Sequence, residues 1–258
     1  PPTQKVWAGE GVTPVVLVHT DWTWSDTDKY LGIKGGKART SHAHMDSGSF
    51  VYDAYGERWS MDIGRQEYAP LEVALKALGG NLWTYTQASL RWEVSRLNNF
   101  FHSTLTVNDA KHNVEGFATL EQTINTATEQ GATFDLSPVL EDQVASAMRT
   151  VKIVNDKDLK VIDAIHARTD RSAKIRWTMV TPAIPTVENN RIVLTSHGKT
   201  MYLTAEEPGG TAIVYKTFST DPVHSYDAPN PGIYLVGFEA TVPKDKWATF
   251  TTTLSPGN

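Results

Sequence analysis

The stretch "SFVYDAYGERWSMDI", Ser49 to Ile63, decides the class of fold. Ser49-Phe-Val-Tyr-Asp53 and Trp59-Ser-Met-Asp-Ile63 both alternate apolar with polar residues, and Tyr55-Gly56 stands between them. Such alternation sends every second side chain to one face of a strand. Two runs of this kind around a short Gly-containing turn read as an antiparallel hairpin. In that pairing Ala54 faces Glu57, Phe50 faces Met61 and Ser49 faces Asp62.

Working outward, the same strand pattern recurs along the chain. It appears in Thr13–His19, Ser103–Val107, Lys160–His166 and Lys174–Val180, then in Arg191–Thr195, Met201–Thr204 and Gly232–Phe238. Turn residues separate these runs, among them Asn155-Asp156, Asn189-Asn190, His197-Gly198 and Pro208-Gly-Gly210. Helix is scarce: Pro70–Leu78, closed by Gly79-Gly80, has room for two turns with glycine as the stop. The Asp- and Pro-rich stretch Asp221–Pro231 reads as a surface loop. The pattern predicts an all-β chain, a large antiparallel β-sandwich of two packed sheets with little helix, with residues 1–258 as one domain.

Composition narrows the function classes. The chain has 258 residues and a formal charge of -5, which argues against a phosphate-tracking nucleic-acid binder. A local basic patch would still suffice for an anionic substrate. There is no cysteine, so disulfides, thiolate zinc sites and a Cys nucleophile are excluded, and any metal must be held by His and carboxylate. The longest apolar run, Val15–Val18, is far too short for a membrane span. The chain opens on "PPTQKVWAGE" without Met or signal peptide and reads as a mature protein or an excised piece.

"SHAHMDSGSF", Ser41 to Phe50, holds the densest polar chemistry. On a strand, His42 and His44 would face one side, and a third ligand could come from Asp46, Asp62 or His102. The hairpin register gives Asp62 the opposite parity to His44, so a bulge or turn near Met45–Gly48 is needed to unite them. The spacing alone fits a metal site and also a pair of hydrogen-bonded surface histidines.

The segment "YLGIKGGKARTSHAHMDSGSFVYDAYGERWSMDIGRQEY", Tyr30 to Tyr68, resembles the β-sandwich domain of heparinase II/III-like polysaccharide lyases. The Lys-Gly-Gly stretch, the His-x-His-x-Asp-x-Gly-Ser-Phe motif, the Gly-x-Arg-Trp turn and the Asp-x-Gly carry the likeness. "RWEVSRLNNFFHSTLTVND", Arg91 to Asp109, resembles the family's second block, while the region after about Gly116 matches only as generic β structure. The resemblance implies that His44, Asp62 and His102 hold a structural zinc ion, that His42 faces the substrate cleft, and that Asp46 braces the loop. Zinc and not calcium is implied by the two imidazoles.

The resemblance also implies a reaction. Such lyases cleave uronic-acid polysaccharides, heparin-, heparan sulfate- or alginate-like, by β-elimination, which requires a neutralised carboxylate, a base for the C5 proton and an acid for the leaving oxygen. His42 is the candidate for base or carboxylate contact, and Tyr68, near it in sequence, is a weaker candidate with core packing as the alternative. The family's other catalytic groups sit on an N-terminal helical toroid that this chain lacks. The chain alone is therefore expected to be catalytically silent or nearly so, its partners being that toroid and an anionic polysaccharide, its location periplasmic or secreted. Competing expectations are a carbohydrate-binding module with a structural metal, and a metal-dependent hydrolase, for which no His-Glu-x-x-His motif is present. Trp22, Trp24, Trp83 and Trp92 could stack on sugars or fill the core. Arg58, Arg65 and Arg96 could meet acidic groups, with Asp53 the expected partner of Arg58.

Overall fold

The computed structural model describes residues 2–257. β1 (Val6–Gly9), β2 (Val15–His19), β3 (Tyr30–Lys34), β4 (Phe50–Ala54) and β5 (Glu57–Ser60) form an antiparallel sheet in chain order. Helix α1 (Tyr68–Ala77) follows, then three short 3-10 turns between Leu90 and Phe101. The next strands are β6 (Leu105–Val107), β7 (Thr119–Asn125), β8 (Glu129–Asp135), β9 (Val144–Val154), β10 (Asp158–Ala167) and β11 (Ala173–Thr181). The last are β12 (Ile184–Val187), β13 (Ile192–Ser196), β14 (Lys199–Glu206), β15 (Val214–Phe218), β16 (Tyr234–Val242) and β17 (Trp247–Pro256). An eight-stranded sheet runs β12-β13-β14-β17-β10-β9-β8-β7, and a four-stranded one β15-β16-β11-β6.

The all-β class and the scarcity of helix agree with the sequence. There are three hydrogen-bonded sheets where the strand pattern suggests two, and the reason is local. β5 stops at Ser60, and only Met61 continues, its N–H donating to the Val180 carbonyl at 2.9 Å in an isolated bridge to β11. The five- and four-stranded sheets thus meet along one edge without a continuous ladder. All three line one core: Phe50 and Trp59 from the first, Phe134 and Phe250 from the eight-stranded sheet, and Trp177 and Phe238 from the third.

A buried ion pair ties these sheets together. Arg149 on β9 and Asp163 on β10 are cross-strand partners with no exposed side-chain surface. Arg149 Nε donates to Asp163 Oδ1 at 2.7 Å and its Nη2 to Oδ2 at 3.0 Å. Trp177 Nε1 donates to the same carboxylate at 3.0 Å, while Arg149 Nη1 reaches the carbonyls of Gly48 (3.0 Å) and Ser103 (3.3 Å). Those two carbonyls flank the segments that carry His44 and His102.

α1 begins two residues before the predicted Pro70 and ends at Ala77. Leu71 and Leu75, four apart, are its buried face. Gly79 takes φ 79°, and Gly80 N–H donates to the Leu75 carbonyl at 2.8 Å, closing the helix as the paired glycines predict.

Candidate active site and metal centre

The histidine motif is not a strand. It occupies two consecutive turns between β3 and β4: Ala43 N–H donates to the Thr40 carbonyl at 3.0 Å, and Ser49 N–H to the Asp46 carbonyl at 3.0 Å. His42 sits in the left-handed region at φ 63° and Gly48 at φ 79°. The expectation that His42 and His44 share a strand face is therefore replaced by a turn that sends the two rings to different neighbours.

Asp62 reaches the His44 side by two breaks in regularity. Ala54 does face Glu57 and Asp53 faces Arg58, but Tyr52 then faces Ser60, so a bulge shifts the register by one residue. Past Ser60 the chain turns, with Asp62 Oδ1 accepting the Gly64 N–H at 2.7 Å. A break at Met45–Gly48 is present as well, but the hairpin bulge was not foreseen.

His44, Asp62 and His102 converge. The His44 and His102 rings are 5.4 Å apart, and His102 Nδ1 is 2.7 Å from Asp62 Oδ2. The far nitrogen of His102, Nε2, donates to the Arg96 carbonyl at 3.0 Å. Burial opposes ionisation of Asp62, yet the adjoining His102, its hydrogen bond and the Gly64 N–H hold the carboxyl well below the usual carboxylate range. Burial alone would push His102 down, but the Asp62 carboxylate outweighs it and raises the imidazole's pKa. His44 has no such partner: burial, reinforced by neighbouring His102, lowers it to about 4, leaving a neutral imidazole.

Asp46, whose charge reaches His44 and His102, has its own partner. Its carboxylate pairs with Lys34 on β3, which braces the turn. Among the described residues no group of three His, Asp or Glu side chains is already gathered as a metal shell. The donor chemistry nevertheless suits zinc. With Nε2–H committed to the Arg96 carbonyl, Nδ1 of His102, which donates to Asp62 here, is the nitrogen that would give up its proton to a metal, the arrangement outer hydrogen bonds commonly impose on ligating histidines. Asp62 stands at that nitrogen and neutral His44 beside it.

His42 and Tyr68 form a second group. Their rings stack with centroids 5.5 Å apart, and His42 Nδ1 is 3.4 Å from the Tyr68 hydroxyl. Trp83 stands edge-on to both, 5.2 Å from His42 and 5.1 Å from Tyr68. Tyr68 opens α1, and the Tyr85 hydroxyl fixes His42 by accepting its backbone N–H at 3.0 Å. His42 is exposed and Trp83 is 39% exposed, while Tyr68 is half-buried and packs against the core that includes Leu71 and Leu75, so the packing alternative for Tyr68 holds in part.

Two features of the site were not legible beforehand. Arg91 is fully buried, donating to the carbonyls of Ala43 at 2.8 Å and Leu82 at 3.0 Å, and lies 4.7 Å from the Tyr85 ring. It thus clamps the residue between the two histidines to the residue before Trp83. The Asp221–Pro231 stretch is more than a surface loop: buried Asp227 accepts from Ser95 N–H (2.9 Å) and Oγ (2.8 Å), and Asn230 accepts from Arg96 Nε at 3.0 Å. This loop holds the backbone whose carbonyl receives His102.

The remaining candidates sort cleanly. Arg58 is bidentate to Asp53 at 2.6 and 2.7 Å, as expected. Arg65 pairs with Glu67, and Trp92 is core. Trp22 and Trp24 lie elsewhere, on the loop between β2 and β3.

Comparison with known proteins identifies the fold and the family. The family model for the heparinase II/III-like C-terminal region matches residues 15–243. A heparan sulfate lyase from Pedobacter heparinus, solved as a mutant, superposes with TM-score 0.72 at 17% identity over 100% of this chain and 37% of that one. A heparinase III crystal structure gives 0.71 at 14% identity, again over 100% and 37%. A heparinase III gene product with methylated lysines gives 0.69 at 14% over 99% and 36%. These likenesses show a shared fold, and the chain spans little more than a third of those proteins. No curated protein sequence matches. The chain belongs to the heparinase II/III-like C-terminal domain family.

Proposed function

We propose that this chain is the β-sandwich part of a polysaccharide lyase that cleaves uronic-acid glycans, heparin-, heparan sulfate- or alginate-like, by β-elimination. The observation that carries the reading is the split of the motif: exposed His42 stacks on Tyr68 beside Trp83, while His44 turns inward to Asp62 and His102. The first group is the chain's contribution to the cleft wall. The second is a zinc centre held by His44, Asp62 and His102.

In the reaction a base takes the C5 proton, the bond from C4 to the glycosidic oxygen breaks, and a C4–C5 double bond forms. The departing oxygen receives a proton. His42 is the base or the contact to the uronate carboxylate, and the Tyr68 hydroxyl, 3.4 Å from its Nδ1, shares the proton with it. Trp83 supplies an apolar flank against which a sugar ring is oriented. When bound, zinc supplies a structural tie between the motif turn, the exit of β5 and the segment before β6. The Arg96 carbonyl and Asp62 hold His102 in register for that role.

The elimination also needs a cation or strong donors on the uronate carboxylate. We assign these to a preceding helical domain, so the chain alone is silent or nearly so, and we place the whole protein in the periplasm or outside the cell. Exposed Val73 and Leu78 at α1, next to Trp83 through its indole contact with Glu72, supply an apolar surface for that domain. Among the described residues no helix is long and apolar enough to cross a membrane.

The test is elemental analysis of the purified chain, followed by an assay of the chain joined to its preceding domain for unsaturated uronate products. About one zinc per chain, lost in His44→Ala and His102→Ala, supports the metal centre. Product formation abolished by His42→Ala and reduced by Tyr68→Phe supports the cleft assignment. A folded chain that takes up no zinc, or a joined protein that forms no unsaturated product on any uronan, overturns the corresponding half.

A further inference from the structure

The loop from Thr20 to Lys29 presents aromatic rings in an unusual way. Trp22 and Trp24 both adopt φ 58°, a left-handed conformation that is a genuine outlier for bulky residues. Side chains hold the loop there: Asp21 accepts from Thr23 N–H at 2.8 Å, and Asp28 accepts from Asp21 N–H at 3.2 Å and Trp24 N–H at 3.4 Å. Trp22 is pinned by its indole N–H, which donates to the Gln4 carbonyl at 2.8 Å.

The rings form a layered platform. Trp22 stacks on His19 at 4.1 Å with planes 27° apart, Trp24 lies 4.5 Å from the same imidazole, and Tyr30 approaches it at 4.9 Å. His19 is itself locked, with Nδ1 2.8 Å from buried Asp28. Trp24 remains 76% exposed, although an indole left in water forgoes the stabilisation that burial would bring. Backbone strain and an exposed indole together, on a loop held by side-chain hydrogen bonds, mark a surface kept ready for a ligand.

The platform is one wall of a cleft of about 690 Å³, within the size range of small-molecule sites. The same cleft is lined by Asp26 from this loop and by Asp53, Glu57 and Arg58 from the hairpin of β4 and β5. Arg58 is bidentate to Asp53, and Lys199 stands 3.9 Å from both Asp26 and Glu57, so with Asp28 the carboxylates of the cleft outnumber its cations. An aromatic face suits the C–H side of a pyranose, and the exposed Asp26 carboxylate accepts from its hydroxyls. The same carboxylates repel a uronate or sulfate group.

The cleft is separate from the histidine site. His19 pairs with Tyr30 at one end of β3, whereas Lys34, the partner of Asp46, stands at the other. Four residues of strand at about 3.3 Å each put roughly 13 Å between those ends.

The geometry points to a second sugar-binding site here, with Trp24 as its stacking face, that takes an uncharged hexopyranose residue and not a uronate. It anchors the chain to a neutral stretch or neighbour of a polysaccharide, and it stands whether or not the lyase assignment does.

Isothermal titration of the chain with gluco-, manno- and galacto-configured neutral hexasaccharides, and with a uronate hexasaccharide, tests it. At least one neutral hexasaccharide should bind saturably, weaken at least tenfold in Trp24→Ala and bind unchanged in His42→Ala. The circular dichroism of Trp24→Ala should match that of the parent, since the side chain is exposed. The site is overturned if no neutral hexasaccharide binds. It is equally overturned if Trp24→Ala binds as tightly as the parent, or if the ligand whose binding Trp24→Ala removes is the uronate.

Discussion

Arg149 and Asp163 face each other across β9 and β10 with two hydrogen bonds, 2.7 and 3.0 Å, and neither side chain meets solvent. Because Arg149 also holds the carbonyls of Gly48 and Ser103, the pair joins the sandwich interior to both ligand-bearing segments. Removing one partner of a buried pair strands the other. Arg149→Met should cost about 3–5 kcal/mol in urea unfolding. Arg149→Met combined with Asp163→Leu should recover part of that loss. A single variant within 1 kcal/mol of the parent would show that the pair does not carry this strain.

His112 makes stability depend on pH. Its Nε2–H donates to the Leu105 carbonyl at 2.8 Å, Nδ1 is buried without a partner, and burial lowers the imidazole from 6.5 to about 4. The folded state therefore binds fewer protons than the unfolded one between those values. Stability from this residue is intact above 6.5, falls as pH drops towards 4, and levels off below, a loss of at most about 3 kcal/mol. Unfolding midpoints measured across that window should flatten in His112→Gln relative to the parent.

Arg91 should act locally. Arg91→Lys keeps the charge but cannot span the Ala43 and Leu82 carbonyls as the planar guanidinium does. Amide hydrogen exchange should quicken at Ser41–Ala43 and Leu82–Thr84 while the core strands β9 and β10 keep their protection. Uniform quickening across the chain would make Arg91 a global packing residue instead.

Gly48 has φ 79°, and a methyl group there would lie 2.8 Å from Leu136 Cδ1. Gly48→Ala should destabilise by about 1–3 kcal/mol through backbone strain and that contact. If the zinc proposal holds, the variant should also bind metal more weakly, because the turn next to His44 shifts. Zinc at a hundredfold its dissociation constant should stabilise the parent by about 2.7 kcal/mol, an increment that a chelator removes.

Much of this was legible in the sequence because it rests on patterns that repeat. The Tyr55-Gly56 turn, the Ala54–Glu57 pair, the Arg58–Asp53 ion pair and the glycine stop of α1 are all local. What stayed hidden depends on backbone atoms or distant residues. The bulge between Tyr52 and Asp53 accompanies full burial of Trp59, whose indole N–H donates to the Ala54 carbonyl at 2.9 Å. The role of Arg91 leaves no mark in the sequence because its partners are carbonyls, which every residue possesses. The His-x-His spacing around His42 fits strand and turn alike, and only the positive φ distinguishes them.

The loop carrying Asp227 and Asn230 bears on how the protein is made. Asp227 grips Ser95 from 132 positions downstream, and Asn230 grips Arg96 from 134. During translation the early segments leave the ribosome on the order of ten seconds before their brace exists. The strand pairing of the first sheet and its hairpin, by contrast, is made between neighbours in the chain. The nascent chain therefore carries its histidines on a half-finished wall, which sets only when the last strands arrive.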